Sequence, residues 1–308
     1  MKIRKLFILV TAVMLCLASV GPASAAAKKT PKPAERSIKV LYNARQIDSD
    51  VQPEIKNDVV FVPFRAVANA LGAQLDVTPD WKTITFTRGD RKVTITIGSK
   101  TAYVNGQKKE LLVAPYATKG RTMVPTRFVS EQLGETVEWD AVSRYVWIGN
   151  KDVPKQEEVG EKRSFDEFLP MYGKRLDLID RYDFQKDDVY VFTRQQLPIR
   201  LVGEFTDTII YSVWEDVQDG IPVIKVHYKG KHFGLYFLTD SNYPRYRTNV
   251  EAWRVKNPDG SFVGSFPLQD EWDEIWHGIK GWDKFDYSDV RYIGFAMGPY
   301  NMPLLKYD

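Results

Sequence analysis

The chain has 308 residues, 44% of them hydrophobic, with 43 Lys+Arg against 40 Asp+Glu. That length accommodates two domains with separate cores, and no long basic run marks a nucleic-acid partner. The only cysteine, Cys16, sits in an N-terminal apolar run, so removing that run leaves no disulfide, thiolate nucleophile or cysteine-held metal.

Lys2, Arg4 and Lys5 precede an uncharged apolar stretch, Leu6 to Val20, and Ala23-Ser24-Ala25 supplies a small-residue cleavage pattern. Residues 1–27 are therefore expected to be a secretory signal peptide. The stretch falls short of the roughly 20 residues that span a bilayer, so no membrane span is expected once it is removed. Leu15 stands where a lipid-anchored cysteine would need a small residue before it. Residues 28–37, with Pro31 and Pro33, read as an extended linker. Beyond the leader the charge is uneven. Residues 28–150 hold 19 bases and 13 acids, a net of +6, and residues 151–308 hold 21 and 27, a net of −6. Two domains with different partners fit that split.

A repeat follows, at a constant offset of 62 residues: Pro63, Arg65, Val67, Leu71 and Gly72 recur as Pro125, Arg127, Val129, Leu133 and Gly134. No insertion breaks the register, which reads as a tandem duplication. Each proline suits a helix start and each glycine the left-handed position after a helix end. Val67 and Leu71, like Val129 and Leu133, lie four apart on one helix face and are expected in the core. Arg65 and Arg127 stand near the positive helix start, so a carboxylate or carbonyl partner inside the domain is expected for each. Thr83 to Thr87 and Lys92 to Ile97 alternate polar and apolar residues around a Gly89-Asp90 turn, and Asn105-Gly106 marks another turn. Each copy thus predicts two strands, a short helix and two strands. Trp81 and Trp139 are expected as lids on the core.

Val62-Pro63-Phe64-Arg65-Ala66-Val67, Met123-Val124-Pro125-Thr126-Arg127-Phe128-Val129, Tyr103-Val104-Asn105-Gly106 and Val137-Glu138-Trp139-Asp140 resemble the copper amine oxidase N-terminal domain family. The resemblance covers residues 38–149. It implies a small α+β stalk-like module, of the kind found on exported proteins of Gram-positive bacteria, outside the catalytic part of the oxidase. The oxidase's cofactor arises from a tyrosine in an Asn-Tyr-Asp/Glu setting. Here Asn242-Tyr243-Pro244 lacks the acid, and the only histidines are His227, His232 and His277. The resemblance therefore carries no amine oxidase activity and no cofactor.

Residues 150–163 read as a linker, and residues 164–308 as a β-rich, sandwich-like domain. Ser164-Phe165-Asp166-Glu167 fits a capping box. Strands are expected at 189–192, 198–203, 208–214, 221–228, 232–238, 250–256 and 261–266, with a turn over Asn257-Pro258-Asp259-Gly260. A helix is expected over Glu271 to Lys280, with Trp272, Ile275, Trp276 and Ile279 forming its core face. Three constellations are candidates for chemistry. His227 and His232 would face each other across a Lys229-Gly230 hairpin and share a metal. Trp282 and Tyr287, in polar company, would stack on a glycan. Asp270, Glu271, Asp273, Glu274, Asp283 and Asp286 would supply hydrolytic carboxylates, or form a solvated surface.

These features predict an α+β protein: tandem stalk-like β-β-α-β-β repeats, then the β-rich domain. The expected function is that of a non-enzymatic exported protein whose stalk-like half anchors or spaces a domain that binds a cell-wall polymer or surface protein. A secreted carboxylate-dependent hydrolase of extracellular glycans is the alternative. Self-association is left open.

Overall fold

The computed structural model describes residues 36–173, 175, 189–203, 206–296 and 303–307, all within one compact unit. The expected leader, and all but two residues of the expected linker after it, lie outside the described residues.

β1 (Lys39–Tyr42) turns through Asn43-Ala44 into β2 (Arg45–Gln46). β3 (Glu54–Lys56), β4 (Val59–Pro63) and α1 (Phe64–Leu71) follow, then β5 (Gln74–Val77), β6 (Thr83–Arg88) and β7 (Arg91–Thr96). β8 (Thr101–Val104), β9 (Gln107–Glu110), β10 (Tyr116–Thr118), β11 (Arg121–Pro125) and α2 (Thr126–Gln132) lead to β12 (Val137–Asp140) and β13 (Tyr145–Ile148). Three sheets result, ordered β5-β6-β7-β8-β9, β10-β11-β4-β3 and β12-β13-β1-β2. The starts of β1, β2, β3, β4 and α1 precede those of β8, β9, β10, β11 and α2 by the same 62 residues. β4 pairs antiparallel with β11, Val62 opposite Val124, so the two segments share one sheet.

The turns are two-residue turns, as read: Arg88 pairs with Arg91, and Val104 with Gln107. Pro63 and Pro125 end strands and stand one place before their helices, and Gly72 takes φ +63 to close α1. Val67, Leu71, Val129 and Leu133 are buried in one core with Phe86, Ile95 and Ile148. Trp81 and Trp139 are not lids: they are 56% and 40% exposed.

The stretch expected as a linker is structured. It holds α3 (Gln156–Val159) and the edge strand β14 (Glu161–Arg163). The Ser164 hydroxyl caps a single 3-10 turn, accepting from the Asp166 amide at 3.3 Å, before α4 (Leu169–Tyr172). Then come β15 (Val189–Phe192), β16 (Ile199–Gly203), β17 (Thr206–Gln218), β18 (Ile221–Lys229), β19 (Gly234–Thr239) and β20 (Arg245–Arg247). β21 (Val255–Lys256), β22 (Phe262–Pro267), α5 (Trp272–His277), β23 (Val290–Ala296) and β24 (Pro303–Lys306) complete the described chain. The expected strand over 250–256 shrinks to β21, because Glu251–Trp253 forms a 3-10 turn. Two sheets form, β14-β15-β24-β23-β19-β20 and β16-β17-β18-β22-β21. Ile210, Val226 and Phe266 from one meet Leu235, Phe237 and Ile293 from the other in a shared core, the packing of a sandwich.

The two halves are packed together rather than strung apart. Leu41, Ala44, Tyr145 and Trp147 form an apolar cluster against Val153 and Tyr211. The Tyr145 hydroxyl donates to the Tyr211 carbonyl at 2.9 Å, and Lys39 Nζ to the Arg194 carbonyl at 2.8 Å.

Candidate functional site

The helix expected to bury its indoles does the reverse. Trp272, Ile275 and Trp276 are 52%, 59% and 71% exposed, while Asp273 is 3% exposed. The cause lies in β20. Alternate residues of a strand face one way, so Arg245 and Arg247 both point inward. Their guanidiniums converge on Asp273: Arg245 Nη1 donates at 2.5 Å, and Arg247 donates at 2.9 and 2.7 Å. Arg247 also donates to the carbonyls of Pro267 and Leu268, and Arg245 lies 4.2 Å over the Phe285 ring. Two buried cations need a buried anion, and satisfying them outweighs burial of the apolar face. Asp273 therefore sets the rotation of α5, and i, i+3, i+4 spacing then groups Trp272, Ile275 and Trp276 on one solvent-exposed flank of the helix. The two indoles lie near-parallel, 21° apart, with centroids at 5.8 Å.

This corrects two expectations. Asp273 is not part of a solvated or hydrolytic acid cluster, and Asp270 and Asp286 are spent capping the amides of Trp272 and Tyr287. Tyr287 is no free platform: it packs on the sandwich core and its hydroxyl donates to the Asp216 carbonyl at 2.6 Å. Trp282 is half-buried in a 3-10 turn.

The histidine pair does not assemble. β18 and β19 lie in different sheets, so no hairpin brings His227 opposite His232. His227 is buried at the junction of the halves, its Nδ1 2.7 Å from Ser143 Oγ and its Nε2 2.9 Å from Ser261 Oγ. Burial pushes its pKa below the ordinary 6.5, against the pull of Asp140 and Asp259. His232 contacts the Tyr228 hydroxyl and Arg254. Among the described residues, no three His, Cys, Asp or Glu side chains stand close enough to hold a metal ion.

The recurring arginines differ. Arg65 lies 5.4 Å over Trp81, and among the described residues it forms no ion pair with a carboxylate. Arg127 reaches Glu131 of its own helix at 3.7 Å. Beside Arg127 a groove of about 590 Å³ opens, floored by Leu111, Phe128, Val137 and Val146 and flanked by Ile55 and Trp139.

Sequence reasoning missed β20 and with it the buried charge cluster. The available signal was Arg245-Tyr246-Arg247, two cations at strand spacing, together with an acid inside an apolar helical period.

Residues 41–148 match the family described as Copper amine oxidase N-terminal domain. In the copper amine oxidases that domain is non-catalytic, so the match by itself gives no reason to expect amine oxidase activity. No curated protein matches the chain. No helix among the described residues is long and apolar enough to cross a membrane.

Proposed function

We propose that the protein is an exported, non-enzymatic binding protein, in which a duplicated stalk-like module spaces a β-sandwich that grips a neutral cell-surface glycan through Trp272 and Trp276. The basic and apolar pattern of residues 2–25 supports export. The shared 62-residue spacing of five elements supports duplication. One observation carries the binding reading: two large aromatic side chains are held in solvent by a buried ionic buttress. Water-exposed indoles side by side are costly unless a partner covers them.

The neighbouring acids and the half's net of −6 repel phosphate-bearing polymers and leave hydroxyl-rich, uncharged rings as the fitting class. Indole faces pack against the apolar face of a sugar ring, while nearby carboxylates accept from its hydroxyls. Calorimetry with N-acetylglucosamine oligomers tests this. Trp272→Ala and Trp276→Ala should each weaken binding by about tenfold or less, and together by more than either alone. A double variant binding like the parent would remove the platform from the account. Retention of a surface protein instead of any oligosaccharide would replace the glycan with a protein partner.

A further inference from the structure

The groove beside Arg127 gives the stalk-like module a site of its own, which goes beyond the reading of that module as a spacer. Its walls include Ile55 from β3 and Val137 to Trp139 from β12. Among the described residues both strands pair with another strand on one side only, so each presents an outer sheet edge. The rim is unusually apolar: Leu112 is 84% and Ile55 46% exposed. At about 590 Å³ the space is of the size that holds a small ligand or a few side chains.

Charge narrows the occupant. Asp58, Glu110, Glu131 and Glu138 line the groove against a single base, Arg127. Glu131 is taken by Arg127, and Glu138 by Lys151 at 2.5 Å. Asp58 and Glu110 have no ion-pair partner among the described residues, and both are exposed. A sheet edge, an apolar trough and two unneutralised carboxylates together suit an extended chain that alternates apolar and cationic side chains.

We propose that this groove binds a basic, extended peptide segment of another protein. Its backbone adds to the edge of β3 or β12, its apolar side chains fill the trough over Val137 and Phe128, and its lysine or arginine side chains meet Asp58 and Glu110. Main-chain pairing supplies affinity and the alternating side chains supply specificity.

The test titrates the full chain with acetylated pentapeptide amides that alternate lysine with leucine or phenylalanine, and with the same peptides carrying glutamate for lysine. The lysine peptides should bind with a Kd below about 1 mM, and the glutamate peptides about tenfold more weakly or not at all. Asp58→Asn with Glu110→Gln should weaken lysine-peptide binding about two- to tenfold, and added salt should do the same. Leu112→Ser, at a position 84% exposed, should weaken lysine-peptide binding without changing its dependence on salt. Amide exchange in β3 or β12 should slow on binding. Trp272→Ala with Trp276→Ala should leave peptide binding unchanged, which separates this site from the glycan platform. Equal binding of lysine and glutamate peptides, binding indifferent to all three groove substitutions, or none below about 1 mM overturns the proposal. Dimerisation of the chain that Leu112→Ser abolishes would also overturn it, by making a second copy the occupant.

Discussion

Replacing Asp273 with Asn keeps the side-chain volume and removes one charge. In the native fold the carboxylate accepts three hydrogen bonds, at 2.5, 2.7 and 2.9 Å, from two guanidiniums. The Arg245 and Arg247 side chains are 10% and 2% exposed, so water cannot replace the lost charge. Breaking a buried ion pair by removing one partner costs about 3–5 kcal/mol, because the remaining charge stays desolvated. Arg247 keeps its bonds to Pro267 and Leu268, and the Asn carbonyl still accepts, so the lower end applies: about 3 kcal/mol for Asp273→Asn and about 4–5 for Asp273→Ala. Ile275→Ala, two residues on and 59% exposed, should change stability by less than about 0.5 kcal/mol. Urea unfolding of the full chain measures both. An Asp273→Asn cost under about 1 kcal/mol, or an Ile275→Ala cost exceeding it, would refute the claim that the charge cluster rather than the apolar face seats α5.

Leu71→Ala and Leu133→Ala should each cost about 2–5 kcal/mol by denaturant unfolding, since both side chains are buried in the shared core of the first half. His227 gives a pH signature. Its folded pKa is lowered, so the unfolded chain binds the extra proton more readily. The stability tied to its neutral form is complete above the ordinary pKa of 6.5 and is lost as pH falls from there through the lower folded value. Asp140 and Asp259 pull the other way and Arg36 adds to the lowering, so the loss is the net of these groups. Thermal melts between about pH 7 and 5 should show that decline in the parent and less of it in His227→Asn. Parallel profiles for the two proteins would remove His227 as its source.

Local patterns with one physical cause were legible in the sequence. Gly89, Asn105 and Gly106 take the left-handed turn conformations that glycine and asparagine tolerate best, and the hairpins follow at those places. Val67 and Leu71 signal burial because nothing polar competes for that helix face. The same reasoning failed at Trp272 and Trp276, where helical periodicity does identify a face but not which face points in. That choice was made by Arg245 and Arg247, which are 26 to 28 residues from Asp273 and act through a strand too short to show a period. His227 and His232 misled for a related reason. A hairpin was inferred from Lys229-Gly230, whereas the chain crosses there from one sheet of the sandwich to the other, a step visible only in tertiary packing. The linker reading of 150–163 weighed Lys, Glu and Pro composition, but edge strands such as β14 are often charged because that protects an unpaired edge.

The central claim is that exposed indoles, not charge, hold a glycan. Co-sedimentation of the full chain with insoluble cell-wall glycan stripped of phosphate polymers tests it most directly. The parent should sediment with the glycan equally at low salt and in about 1 M salt, where the Debye length is only about 3 Å. Trp272→Ala with Trp276→Ala should stay in the supernatant while unfolding at the same urea concentration as the parent. A double variant that sediments as the parent does, a parent released by salt, or a parent that never sediments would contradict the account.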